Sequence, residues 1–131
     1  HQTDIRLHGD DLEMLHIPPF TEVYEIDGPY FFGIANKFDE ISQRMGADDQ
    51  KVRILRMRKV SFMDSTGIHN LEQLYVRSKR CGMTLVLSGV NERVYKTLEK
   101  AGLVAMIGKE NVRNHINGAL ARAEEIVKAN S

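Results

Sequence analysis

The amino-acid sequence predicts an α/β domain: a central, mostly parallel sheet of four to five strands with one antiparallel edge, flanked by about four helices. Three observations carry this prediction. Runs of β-formers alternate with stretches whose apolar residues recur at helical spacing, and each crossover has the length of a strand–helix–strand unit. Met83 to Leu87 is almost wholly apolar, which suits a strand covered on both faces of a parallel sheet. Gly46, Gly82 and Gly102 each close a helical stretch, so the local punctuation agrees with the global pattern.

Residues 1–17 are polar, with scattered charges, and read as a linker. Within it Leu12, Met14, Leu15 and Ile17 are the candidates for a short edge strand. Pro18-Pro19 forbids regular helix and marks the start of the domain, 18–131. Val23, Tyr24 and Ile26 suggest a strand from Thr21 to Asp27, closed by Gly28-Pro29. Tyr30, Phe31 and Phe32 continue as a short extended piece. Ile34, Phe38, Ile41 and Met45 then recur at helical spacing. Val52 to Met57 reads as a second strand and Val60 to Gly67 as a loop.

A helix follows, with Ile68, Leu71, Leu74, Tyr75 and Ser78 on one face, ending at Cys81-Gly82; Cys81 reads as a packing residue. After the apolar strand, Asn91 is a natural N-cap for a helix carrying Val94, Leu98 and Ala101. Leu103 to Ile107 reads as a last short strand. Asn111 reads as the cap of a final helix whose apolar face is Val112, Ile116, Ala119, Leu120, Ala123 and Val127. The expected core includes Ile26, Phe38, Ile54, Leu55, Leu71, Val86, Leu87, Leu98 and Ile116.

With 131 residues, 42% hydrophobic and 27% charged, the chain suits one folded domain with a genuine core. Eighteen basic and eighteen acidic residues cancel, so no global field draws it to nucleic acid. Arg53, Arg56, Arg58 and Lys59 form a local basic run. It reads first as a solvated sheet end and second as a contact for anionic lipid headgroups. One cysteine excludes an internal disulfide framework. No apolar run reaches the roughly 20 residues that span a bilayer, and the charged start is no signal peptide. The chain opens on His1 and not Met, which reads as an excerpt whose membrane part lies outside these residues.

The informative segment is Phe62-Met63-Asp64-Ser65-Thr66-Gly67, between a strand and a helix. Ligand sites of α/β folds lie at the carboxyl ends of their strands, and a helix N-terminus favours an anion. Asp64, Ser65 or Thr66 can cap that terminus, with Val60, Phe62 and Met63 anchoring the loop. A capping box would place Glu or Gln where Ile68 or His69 stands, so the loop is not simply an optimised cap. His1, His8, His16, His69 and His115 have no metal-ligand spacing. Ser65 is in no Gly-x-Ser-x-Gly elbow, and no Gly-rich phosphate loop exists. Neither a metal nor a cofactor is expected, and no catalytic residue.

With its surrounding segments, this loop resembles that of the STAS domains (sulfate transporter and anti-sigma-factor antagonist). The resemblance runs from about Pro18 to the C-terminus. It implies that Ser65 stands where the antagonists carry a phosphorylated serine, with Asp64, Thr66 and Gly67 completing the regulatory motif. Asp27-Gly28-Pro29-Tyr30-Phe31-Phe32-Gly33 is similar to the corresponding segment of sulfate-transporter domains, as is Gly67-Ile68-His69-Asn70-Leu71-Glu72. The short Gly46–Lys51 loop resembles bacterial members. The resemblance therefore implies a non-enzymatic regulatory domain of a sulfate or related inorganic anion transporter, at the cytoplasmic face of a bacterial inner membrane. Its expected partners are the transmembrane domain of the parent transporter and a cytosolic regulatory protein; a homodimer is a further option. Phe31 and Phe32 read first as core residues and second, with Gly28, Pro29 and Tyr30, as the patch that docks the transmembrane domain. The alternative is a free-standing anti-sigma-factor antagonist switched at Ser65.

Overall fold

The computed structural model describes residues 16–26 and 49–130 in full, with the backbone of Asp4–Leu7 and Asp27. β1 (Asp4–Leu7), β2 (Thr21–Asp27), β3 (Val52–Arg56) and β4 (Thr84–Ser88) lie side by side in that order. β1 runs antiparallel to β2, whereas β2–β3 and β3–β4 are parallel. The helices are α1 (Ser65–Arg80), α2 (Glu92–Lys100), α3 (Leu103–Ile107) and α4 (Ile116–Ala129). The α/β class and the parallel core agree with the sequence.

Strand alternation divides the core into two layers. Tyr24, Ile26, Leu55, Leu85 and Leu87 face α1, α2 and α3, packing on Leu71, Leu74, Val94, Leu98 and Leu103. Val23, Val52, Ile54 and Val86 face α4 and meet Ile116, Ala119, Leu120, Ala123 and Ile126. Every expected core residue within the described set is buried; Phe38 lies outside that set, with the helix read over Ile34 to Met45.

Several expectations need correction. Asp4–Leu7 pairs with β2, so the stretch read as a linker supplies an edge strand; Leu12, Met14 and Leu15 lie outside the described residues. Here pairing of backbone groups with β2 outweighs a polar composition. Leu103–Ile107 is a helical turn and not a strand. It starts after Gly102 at φ +82° and buries Leu103, Val104 and Ile107 while exposing Ala105 and Met106. A five-residue apolar run fits either state, and here packing against α2 decides.

Val112, expected on the face of the final helix, instead makes one parallel bridge to Leu87, and Arg113 N–H donates to the Leu87 carbonyl at 2.9 Å. Asn111 does not cap α4. It is buried, donating to the Ile107 carbonyl (2.8 Å) and accepting from Arg122 Nε (2.7 Å), so it ties α3 to α4. His115 caps α4 instead, its Nδ1 accepting from Asn117 N–H. Ala101 is exposed, and Cys81 is an exposed free thiol at the end of α1 rather than a packing residue.

Only half of the basic run is solvated: Arg58 and Lys59 are exposed, whereas Arg53 and Arg56 are buried. Arg53 points into the core layer beside α1, where Nε meets Glu22 Oε1 at 2.7 Å and Nη1 donates to Ser78 Oγ at 3.1 Å. Arg56 is also buried, and with Arg58 and Lys59 it surrounds the buried Glu25 carboxylate at 3.8, 3.0 and 3.6 Å. The sequence hid both arrangements because the carboxylates stand about thirty positions earlier, on β2.

Candidate functional site

The Val60–Gly67 loop leaves the carboxyl end of β3 and enters α1. Met57 N–H donates to the Ser88 carbonyl (2.8 Å) and Val60 N–H to the Met57 carbonyl (3.0 Å), folding the chain back over the end of β4. Val60 and Met63 are buried anchors, as their apolar side chains require, while Phe62 is half-buried under the Arg93 guanidinium, 6.0 Å from its ring centroid.

Asp64 is the N-cap of α1. Its extended backbone lets Oδ1 accept from Gly67 N–H at 2.8 Å, and its carbonyl accepts from Ile68 N–H at 2.9 Å. Of the three candidate caps the aspartate takes the position, which leaves Ser65 and Thr66 exposed in the first turn and Gly67 buried. No acidic residue follows in that turn, so the positive end of the helix faces the Ser65 hydroxyl with Asp64 as the neighbouring charge. The geometry suits a modifiable hydroxyl presented at a rigid corner. His69 is exposed, and among the described residues no hydrogen bond joins it to Ser65.

Two residues outside the motif hold the loop. Asn91 caps α2 by accepting from Val94 N–H (2.7 Å), and its Nδ2 donates to the Val60 carbonyl (3.1 Å). One amide thus fixes a helix start and the loop together. Gly89, at φ +69°, lets the Arg58 backbone pass where a Cβ would stand 2.8 Å from its nitrogen. The Asn91 cap was legible in sequence; its bond to Val60 was not. The Ser88-Gly89 pair ending an apolar strand was the available signal for the close approach.

Gly28, Pro29, Tyr30, Phe31 and Phe32 lie outside the described residues. His16, His69 and His115 are exposed and apart, and no group of three or more His, Cys, Asp or Glu among the described residues could hold a metal. Nor is any helix among the described residues long and apolar enough to cross a membrane.

Comparison with known proteins is consistent across sequence and structure. A family model described as the STAS domain matches residues 12–119. A putative sulfate transporter of Bacillus subtilis is 31% identical over 97 residues, which is 74% of this chain and 18% of that protein. The chain thus spans about a fifth of the length of the curated relatives it matches. A crystal structure of a sulfate transporter family protein from Wolinella succinogenes superposes with a TM-score of 0.77 at 38% identity, covering 91% of this chain and 99% of that one. The SulP transporter STAS domain of Vibrio cholerae gives 0.75 at 35% identity, covering 91% and 92%. A putative anti-sigma factor antagonist from Thermotoga maritima shares the fold alone, with a TM-score of 0.59 at 16% identity over 83% of this chain and 92% of that one.

Proposed function

The chain belongs to the STAS domain family, and from that premise we propose that it is a non-enzymatic regulatory module of a SulP-type transporter for sulfate or a related inorganic anion. The observation that carries this reading is the 35% identity over 91% of the chain to a SulP transporter STAS domain, against 16% to an anti-sigma factor antagonist. In this reading the domain hangs at the cytoplasmic face of a bacterial inner membrane and follows a transmembrane domain. Its partners are that domain and a cytosolic regulator acting at the Asp64–Gly67 corner.

Ser65 is the regulatory residue in this proposal, supported by its exposure at the helix N-terminus. A phosphate there brings roughly two negative charges, favoured by the helix dipole and opposed by Asp64. The two effects are of similar size. Ser65→Glu should therefore melt within a few degrees of the parent, since about 1 kcal/mol shifts a domain of this size by only that much. Uptake of labelled sulfate by the full-length transporter should change far more, and Ser65→Ala should not follow it. If both variants leave uptake and partner capture at the parental level, Ser65 is a structural residue only.

Docking to the transmembrane domain falls to Gly28–Phe32 in this proposal. The support is an aromatic cluster next to a strand end. Phe31→Asp and Phe32→Asp are expected to impair uptake by the full transporter while the 131-residue domain keeps its fold by circular dichroism. Loss of the domain's own thermal transition in those variants would instead make the aromatics core residues.

A further inference from the structure

The end of the sheet opposite the Ser65 loop carries a strip of cations with two exposed apolar side chains set in it. Phe20 and Met106 are 46% and 41% exposed, the large apolar residues most open to solvent among those described. Phe20 has φ +58°, a left-handed backbone that a bulky aromatic residue adopts only when its surroundings hold it there. Its carbonyl accepts from the N–H groups of Lys51 (2.7 Å) and Val52 (3.1 Å), so pairing with the start of β3 holds the turn and leaves the ring in solvent.

Main-chain hydrogen bonds join this turn to the end of α1. Thr84 N–H donates to the Lys51 carbonyl, and Met83 N–H to the Ser78 carbonyl, each at 2.9 Å. Lys79 and Arg80 follow, exposed, and with Tyr75, Val76 and Met106 they line an open groove of about 480 Å³. Lys100 closes α2 at the same end, because α2 runs back along the sheet from β4. Among the described residues no carboxylate pairs with Lys51, Lys79, Arg80 or Lys100; Lys79 lies over the Tyr75 ring at 5.9 Å. Among the described residues here, Asp49 and Glu99 are exposed acids against the four exposed cations Lys51, Lys79, Arg80 and Lys100, an excess of positive charge.

We propose that this strip rests on an anionic lipid bilayer. Its cations come from the ends of separate elements and spread along a rim, matching a charged plane better than a single acidic side chain. Phe20, Tyr75 and Met106 supply apolar surface at headgroup depth, and cations near an anionic leaflet are attracted to it. The sequence's own basic run, by contrast, is spent on Glu22 and Glu25. Such seating turns the Asp64–Gly67 corner, and with it the carboxyl end of β2 that leads into Gly28, away from the bilayer, so it is an alternative to docking through Gly28–Phe32. The surface chemistry stands without the transport reading, so the two fail in separate assays.

The test is sedimentation of the 131-residue chain with vesicles of equal parts phosphatidylcholine and phosphatidylglycerol, against phosphatidylcholine alone. Capture by the anionic vesicles only is expected, falling at high salt. Each cation removed should weaken capture roughly fivefold, so Lys79→Gln with Arg80→Gln should lose about twenty-five-fold. Phe20→Ala and Met106→Ser should each weaken it severalfold, and Arg58→Gln with Lys59→Gln should leave it unchanged. Melting curves of all variants confirm folding. No capture at millimolar lipid overturns the proposal, as does capture that survives the Lys79/Arg80 pair but is lost with Arg58/Lys59. Retention on immobilised poly-glutamate without vesicle capture assigns the strip to an acidic protein and overturns it too.

Discussion

Replacing Glu22 by leucine is expected to destabilise the domain by about 3–5 kcal/mol, the cost of leaving a buried charge without its partner. Arg53 has no exposed surface, and the Glu22 carboxylate lies 2.7 Å from its Nε. Ser78 Oγ, 3.1 Å from Nη1, is a neutral hydroxyl and does not replace the carboxylate charge. Combining Glu22→Leu with Arg53→Met should recover most of the loss, because a well-packed apolar pair often does as well as a buried ion pair. Urea denaturation of the two single variants and the double measures this directly. A double variant no more stable than Glu22→Leu would mean that the pair is not the source of the effect.

Gly89→Ala is expected to cost about 2–4 kcal/mol and to loosen the Ser65 loop. Two penalties combine. The φ of +69° costs a β-carbon about 1–2 kcal/mol, and that carbon would sit 2.8–2.9 Å from the Arg58 nitrogen and Cα. Backbone atoms cannot swing aside as the tip of a side chain can, so the Arg58 segment must move. Gly82→Ala is the matched control: φ is +76°, but nothing lies within 4 Å of its Cβ position, so only the conformational penalty applies. Thermal melts of the two variants isolate the steric part, and amide exchange over residues 61–67 reports the loop. Equal losses at the two glycines would show that the close approach to Arg58 carries no energy.

Much of this protein was legible before any coordinates. The β-formers of β2, the apolar β4 and the helical spacing of Ile68, Leu71, Leu74, Tyr75 and Ser78 are short-range signals. They name element type and buried face together. The Asp64 and Asn91 caps belong to the same class, because each satisfies N–H groups three residues away. So does the Asp64–Gly67 motif, whose place between strand and helix follows from local order alone.

Failures gathered where the deciding partner was distant. Leu103–Ile107 has the composition of a strand, and only packing against α2 makes it a helix. Asn111 has the look of a cap, yet Ile107 and Arg122 claim its side chain. Arg53 and Arg56 look like a solvated basic run because Glu22 and Glu25 stand on the neighbouring strand. Strand register brings those charges together, and sequence spacing carries no record of register between parallel strands joined by a long crossover. Local periodicity and capping therefore determined the elements and the candidate loop. The parallel pairing of β2 with β3 decided which charges are buried, and through them which end of the sheet remains basic and open.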